Sequence, residues 1–168
     1  KKAKLRNNVV FTKLATAVLY TDYLDFSRQQ NLAYYFNGGK LVDSLNTLTS
    51  NKGYYKTNSN LASFKKNVNV VNPDYTMQAD SLQYNSRTKV IFFVTETTVI
   101  NKDSSTFVYQ GGQYNTTSKV SDIKKGTGES KEYTIVGNKY DFDGIRNIGK
   151  VRGNVVMTSK KEMIGTNT

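Results

Sequence analysis

The chain has 168 residues and a formal charge of +11, from 24 basic and 13 acidic side chains, with neither cysteine nor histidine. That length suits one domain or one continuous repeat array, and the missing residues exclude disulfides, thiol chemistry, zinc sites and Ser-His or Cys-His catalytic pairs. The charge fits an anionic partner (nucleic acid, an acidic membrane surface or an anionic glycolipid), or a solvated basic surface that serves solubility alone.

The chain opens at Lys1-Lys2-Ala3 with no apolar core behind it, so any export signal is expected to lie outside this chain. Residues 4–16 show no clear period and are open to reading as a first strand pair. From Leu19 onward the sequence repeats. Aromatic anchors stand at Phe26, Tyr55, Tyr84, Tyr114 and Phe142, separated by 29, 29, 30 and 28 residues. Seven residues before them come Leu19, Leu48, Met77, Phe107 and Ile135. Six after come Leu32, Leu61, Val90, Val120 and Ile148, and nine after come Tyr35, Phe64, Phe93, Ile123 and Val151. Every position in these columns is apolar.

The stretches between anchor and sixth residue have turn composition: Ser27 to Asn31, Lys56 to Asn60, Asn85 to Lys89, Asn115 to Lys119 and Asp143 to Asn147. A second set of turns sits half a repeat away, at Asp43-Ser44, Asn72-Pro73-Asp74, Asn101 to Ser104 and Gly128-Glu129-Ser130. Two turns per repeat predict two antiparallel strands of about 10 residues, each roughly 33 Å long. Alternation is visible in Leu24 and Phe26, Leu82 and Tyr84, Tyr140 and Phe142, Val68 and Val70, and Val155 and Met157. The anchor and the column seven residues before it are an odd number apart, so something must switch the facing between them. A bulge or corner does this. Candidates on the upward strands are Ala79-Asp80, Gly111-Gly112 and Gly137-Asn138; on the downward strands they are Gly38-Gly39, Lys66-Asn67 and Gly153-Asn154. The expected object is all-β and spans residues 1–168 as a single domain. It is an elongated, bent antiparallel meander of about eleven or twelve strands, whose two facing sheets share an apolar interior. The longest apolar run, Val90 to Val94, is far short of the ~20 residues a spanning helix needs.

The segment Tyr75-Thr76-Met77-Gln78-Ala79-Asp80-Ser81-Leu82-Gln83-Tyr84-Asn85 resembles the recurring Ala-Asp-x-Leu-x-Tyr unit of the OstA-like/LptA family. Lys65 to Val70 and Val151 to Met157 resemble its Gly-Asn-Val strand. Thr21 to Phe26 and Gly112 to Asn115 look like diverged copies of the first unit. The resemblance covers about residues 9–158, and the wealth of Tyr, Asn and Lys is closest to OstA-like proteins of Bacteroidetes type. It implies an open, boat-shaped β-jellyroll that carries lipopolysaccharide across the periplasm, bridging inner and outer membranes. It also implies exported, periplasmic localisation, and partners that are homologous jellyrolls joined edge to edge. Neither a cofactor nor an enzymatic activity is expected.

On that resemblance the acyl-chain groove is expected to be lined by Leu24, Phe26, Tyr35, Leu48, Tyr55, Phe64, Met77, Leu82, Tyr84, Phe93, Phe107, Tyr114, Ile135 and Phe142. Simple core packing is the plain reading of any one of them. Anionic head groups would meet Lys65, Lys66, Arg87, Lys89, Lys119 and Arg152. The free sheet edges would suit β-augmentation by a homo-oligomeric neighbour, although Lys160-Lys161-Glu162 also suits a device that blunts an edge.

Rival signals are weaker. Asp22 with Asp25, Asp74 with Asp80, and Asp141 with Asp143 would be candidate hydrolytic pairs, yet they recur at turns and corners, where Asp has a backbone role. Asp141 to Gly144 lacks the later ligands of a calcium loop. Gly126 to Ser130 lacks the lysine of a phosphate loop. A basic nucleic-acid-binding protein would need exposed aromatics, and these fall on the interior columns, so no nucleic acid is expected. An adhesin-like or structural repeat protein without lipid would share the fold but fill the interior.

Overall fold

The computed structural model describes residues 2–14, 17–146 and 148–160, and in them the chain is β-structure without helix. Eleven legs run back and forth. In chain order they are β1 (Lys2–Leu14), β2 (Ala17–Ser27), β3 and β4 (Leu32–Tyr35, Gly39–Val42), β5 and β6 (Thr47–Ser50, Lys52–Lys56), β7 (Leu61–Val71) and β8 (Tyr75–Asn85). Then follow β9 and β10 (Val90–Phe93, Thr97–Asn101), β11 and β12 (Thr106–Tyr109, Gly112–Asn115), β13 and β14 (Val120–Ile123, Gly126–Glu129), β15 and β16 (Tyr133–Gly137, Lys139–Asp143), and β17 and β18 (Ile148–Arg152, Val156–Ser159). The 18 strands are thus the eleven expected legs, seven of them broken in two by a corner. The described part of the expected strand pair at residues 4–16 is a single strand: β1 lies along β2 from Lys2↔Ser27 to Leu14↔Ala17.

Each leg pairs with the next, so one continuous antiparallel sheet folds along its line of corners into two facing halves. One half holds β4, β5, β10, β11, β14, β15 and β18; the other holds β3, β6, β9, β12, β13, β16 and β17. The unbroken β1, β2, β7 and β8 run through both.

The corners are where the sequence places them, and the backbone shows why. Asn7 and Asn8, Lys66 and Asn67, and Gly153 and Asn154 are successive pairs with positive φ. In β7 this pair breaks the register between Lys65↔Ser81 and Val68↔Ala79, setting two residues against the single Asp80. In β1, Asn7 and Asn8 stand against Asp22, whose carboxylate accepts the Asn8 N–H at 3.1 Å. An inserted residue turns the following side chains to the other face. On β8 the switch leaves adjacent Ser81 and Leu82 both buried, and the Ser81 hydroxyl, turned inward, donates to the Phe64 carbonyl at 3.2 Å.

The core lies between the halves. Leu19, Leu48 and Met77 from one column and Tyr35, Phe64, Phe93 and Ile123 from another are buried, as expected. Each large side chain so buried contributes about 1.5–3 kcal/mol. The column six residues after the anchor behaves differently. Four-residue turns at 28–31, 57–60, 86–89 and 116–119 make the anchor's cross-strand partner the seventh residue: Phe26↔Ala33, Tyr55↔Ala62, Tyr84↔Ile91 and Tyr114↔Ser121. Ala33, Ala62 and Ile91 are therefore the buried ones. Leu32, Leu61 and Val90 are half-buried on the outer face, and Val120 and Ile148 are 45% and 50% exposed.

Candidate functional site

Opposite the line of corners the two halves end in turns, and these form the lips of a mouth. The first lip carries turns 43–46, 72–74, 102–105 and 130–132. The second carries turns 28–31, 57–60, 86–89, 116–119 and 144–146. Both are built by local capping. On the first, Asp43 accepts the N–H groups of Leu45 and Asn46, and Asp103 accepts the N–H and hydroxyl of Ser105. On the second, Asn85 accepts from Arg87 and Thr88, Asn115 from Thr117 and Ser118, and Asp143 from Ile145 and Arg146. Two of the suspected carboxylate pairs are thus engaged in backbone caps or ion pairs: Asp22 and Asp143 accept backbone N–H groups, Asp25 meets Arg6 at 2.8 Å, and Asp141 meets Arg152.

The second lip is also laddered. Asn31, Asn60, Lys89 and Lys119 each adopt positive φ as the last residue of the turn. Their carbonyls accept the N–H of Thr57, Ser86, Thr116 and Gly144 in the next turn at 2.8 or 2.9 Å. Sequence reading saw polar turns but not this stacking. Its trace is the Asn, Asn, Lys, Lys column five residues after each anchor, which hydropathy does not score.

Aromatic rings bring the lips together. Tyr75, beside the first lip, meets Tyr114, beside the second, edge to face at 6.1 Å. Nearer the N-terminus Phe11 meets Tyr55 at 6.4 Å. Burial, with lesser contributions from Tyr114 and the carboxylates of Asp43 and Asp74, pushes the Tyr75 phenol up. Burial and then Asp43 do the same to Tyr84, and burial and then Asp74 to Tyr114. These tyrosines of the mouth are therefore neutral hydrogen-bonding groups at neutral pH.

Between the two ring contacts a shallow cleft of about 40 Å³ opens to solvent. Leu41, Leu48, Phe64, Val70, Leu82 and Ile91 form its apolar wall. Its polar lining is Asp43 and Asn46 from the first lip, Thr116 from the second, and Gln83 and Tyr84 beside it. Its lining, mostly apolar with a few oriented polar groups, has the composition of a small-molecule site, while its volume is well below the roughly 300 Å³ at which such sites begin, so a ligand would have to part the lips to enter.

Of the expected groove residues, Leu48, Phe64, Leu82 and Tyr84 line this cleft. Leu24, Tyr35, Tyr55, Met77 and Phe93 are buried elsewhere in the core, and Phe26, Phe107, Tyr114 and Ile135 pack against it half-buried. Phe142 is 43% exposed, because its cross-strand partner Gly149 covers nothing. Leu41, Val70, Ile91 and Thr116 are not among the expected groove residues. Among the expected cations, Arg87, Lys89 and Lys119 stand on the second lip. Lys65 and Lys66 stand at a corner, about half a leg or roughly 16 Å from the turns. Arg152 is also near a corner, paired with Asp141. Lys161 and Glu162 lie outside the described residues. Lys160 ends the last leg, its N–H donating to the Glu132 carbonyl and its ammonium meeting the Glu129 carboxylate.

Residues 1–80 match the family model described as OstA-like protein. No curated protein matches the chain. Among solved structures it is similar to LptH of Pseudomonas aeruginosa, the LptA-homologous periplasmic component of that organism's lipopolysaccharide transport device. The TM-score is 0.56 at 14% identity, over 84% of this chain and 93% of that one. The resemblance read from the repeat units thus holds: residues 1–80 match the OstA-like family model, and over 84% of its length the chain shares the fold of the LptA homologue.

Proposed function

We propose that this protein is a periplasmic lipopolysaccharide-binding and transport module, which takes acyl chains between its lips and passes them along a bridge between the two membranes. The observation that carries this reading is the apolar cleft at the mouth, rimmed by lip groups and closed on either side by ring contacts rather than by covalent or backbone links. Ring contacts of this kind are worth about 0.5–1.5 kcal/mol each beyond their buried area, so an entering chain can displace them. The OstA-like match and the LptH-like fold support the same reading. Neighbouring jellyrolls are proposed to join at the terminal strands.

Replacing Tyr84 with a photoreactive phenylalanine analogue tests the cargo. Irradiation with lipopolysaccharide should crosslink at Tyr84 and not at Tyr54, which belongs to an outward-facing stack with Tyr34. No adduct at Tyr84, under conditions that label a known transport protein, would sink the proposal. One observation favours a second reading, a lipid-free structural repeat: most interior columns are already packed, with Leu24 and Leu82 each 1% exposed. That reading expects no adduct at any interior position.

A further inference from the structure

The two lips carry opposite charge. Arg28, Arg87, Lys89, Lys119 and Arg146 stand in the turns of the second lip, and the one acid at its described turns is Asp143, which caps the last turn and meets Arg146 at 3.7 Å. Every described turn of the first lip has an acid, Asp43, Asp74, Asp103 or Glu132, with Lys102 and Lys131 the only cations. Hydrogen bonds from Ser105 hold the Asp103 carboxyl below its usual range. The division follows the fold and not the chain, because the turns of the two lips alternate along the sequence.

We infer that the mouth recognises an anionic amphiphile from one side only. The cationic second lip takes the phosphate or carboxylate head group, and the acidic first lip repels it, so the ligand enters in a fixed orientation. This rests on the acyl-binding reading above and adds to it which side of the mouth holds the head group. The cleft supplies the geometry: Asp43 and Thr116, from opposite lips, lie on its lining; Lys119 shares the turn of Thr116, and Arg87 and Lys89 stand in turn 86–89, which is hydrogen-bonded to that turn from the Lys89 carbonyl to the Thr116 N–H. Charge-assisted bonds from Lys and Arg suit phosphate oxygens. A head group held by net charge alone would have no preferred side. The corner cations Lys124 and Lys125, both exposed, separate the two cases.

The test is titration calorimetry with monomeric n-dodecyl phosphate and with n-dodecyl maltoside, which has the same chain and a neutral head. The Arg87→Glu, Lys119→Glu double variant should bind dodecyl phosphate about tenfold or more weakly, as expected for losing two charge-assisted contacts, and bind the maltoside as before. Asp74→Lys with Glu132→Lys, first-lip acids outside the cleft lining, should bind the phosphate as well or better. Lys124→Glu with Lys125→Glu makes the same net-charge change as the first variant and should have no effect. Should the charge-reversed lip fail to fold, Arg87→Gln with Lys119→Gln serves, with a smaller loss in the same direction. Equal losses from lip and corner variants would overturn the inference and leave acyl binding standing. Failure of the unaltered protein to bind either amphiphile would overturn both.

Discussion

Tyr35 shows how a single residue shapes the interior. Its ring is 3% exposed and lies flat over two glycines. A Cβ at Gly53 would come within 2.1 Å of the ring, and one at Gly39 within 2.6 Å, so both neighbouring strands need glycine there. Ser50 donates its proton to the Lys52 carbonyl at 3.0 Å, which makes the Tyr35 phenol the donor in its 2.5 Å bond to the Ser50 oxygen. The two partners should therefore differ on removal. Tyr35→Phe leaves Ser50 still bonded and should cost about 1 kcal/mol. Ser50→Ala strands a buried phenol donor and should cost about 1–3 kcal/mol. Burial pushes the phenol up to about 12, from the ordinary tyrosine value of about 10. The raised value means that the neutral form is favoured in the fold. The corresponding stability, about 2–3 kcal/mol, is present below pH 10 and lost as pH rises from 10 through 12. Urea unfolding at pH 8 and pH 11 checks this: the loss between them should be smaller in Tyr35→Phe than in the unaltered protein. An equal loss would show that Tyr35 does not carry it.

At the scale of the element, the corner repays attention because it recurs and because its cost is measurable. Lys66 and Asn67 hold φ of 65° and 52° within an otherwise continuous β7. A non-glycine residue in that conformation costs roughly 1–2 kcal/mol, and a β-branched one more. Lys66→Gly should raise stability by about 1 kcal/mol and Lys66→Val should lower it by at least as much, read as shifts in the urea midpoint at constant m-value. No difference between the two would mean that the strand straightens and the corner is not held. These corners were legible in the sequence because a parity failure is a signal that period-2 reading cannot absorb. Lys66-Asn67 and Gly153-Asn154 were found that way. What escaped was which turn-side column faces in. An apolar Leu32 or Leu61 looks like core, and an Ala33 or Ala62 looks like nothing. The four-residue turn nevertheless places alanine opposite the anchor's ring, where little room remains. The mouth escaped for a different reason. Its wall combines Leu41 and Val70 with Leu82 and Ile91, from four legs and both halves, and a repeat read one leg at a time does not show which halves meet.

For the whole molecule, the ends are the open question that its architecture poses. Among the described residues, β1 pairs with β2 alone, and β17 and β18 pair only with β16 and β15. Each terminal edge exposes apolar side chains among its cations: Val10 is 57% exposed and Val156 is 59%. An unpaired edge of this kind offers a row of backbone donors and acceptors to another strand. Apparent mass by light scattering should therefore rise with protein concentration, and a strict monomer at high concentration would argue against any edge contact. The symmetry of the contact is also testable. If β1 of one copy meets β18 of the next, the contact is heterologous and grows into chains. A charge at either edge then weakens every contact, so Val10→Lys alone and Val156→Lys alone should each lower association about tenfold. If instead like edges meet, growth stops at a dimer and only one of the two substitutions matters. Both positions are exposed on the outer face, so circular dichroism should be unchanged in either variant. A protein that passes cargo along a bridge needs the first pattern, because only a head-to-tail contact keeps the charged lips of successive copies on the same side.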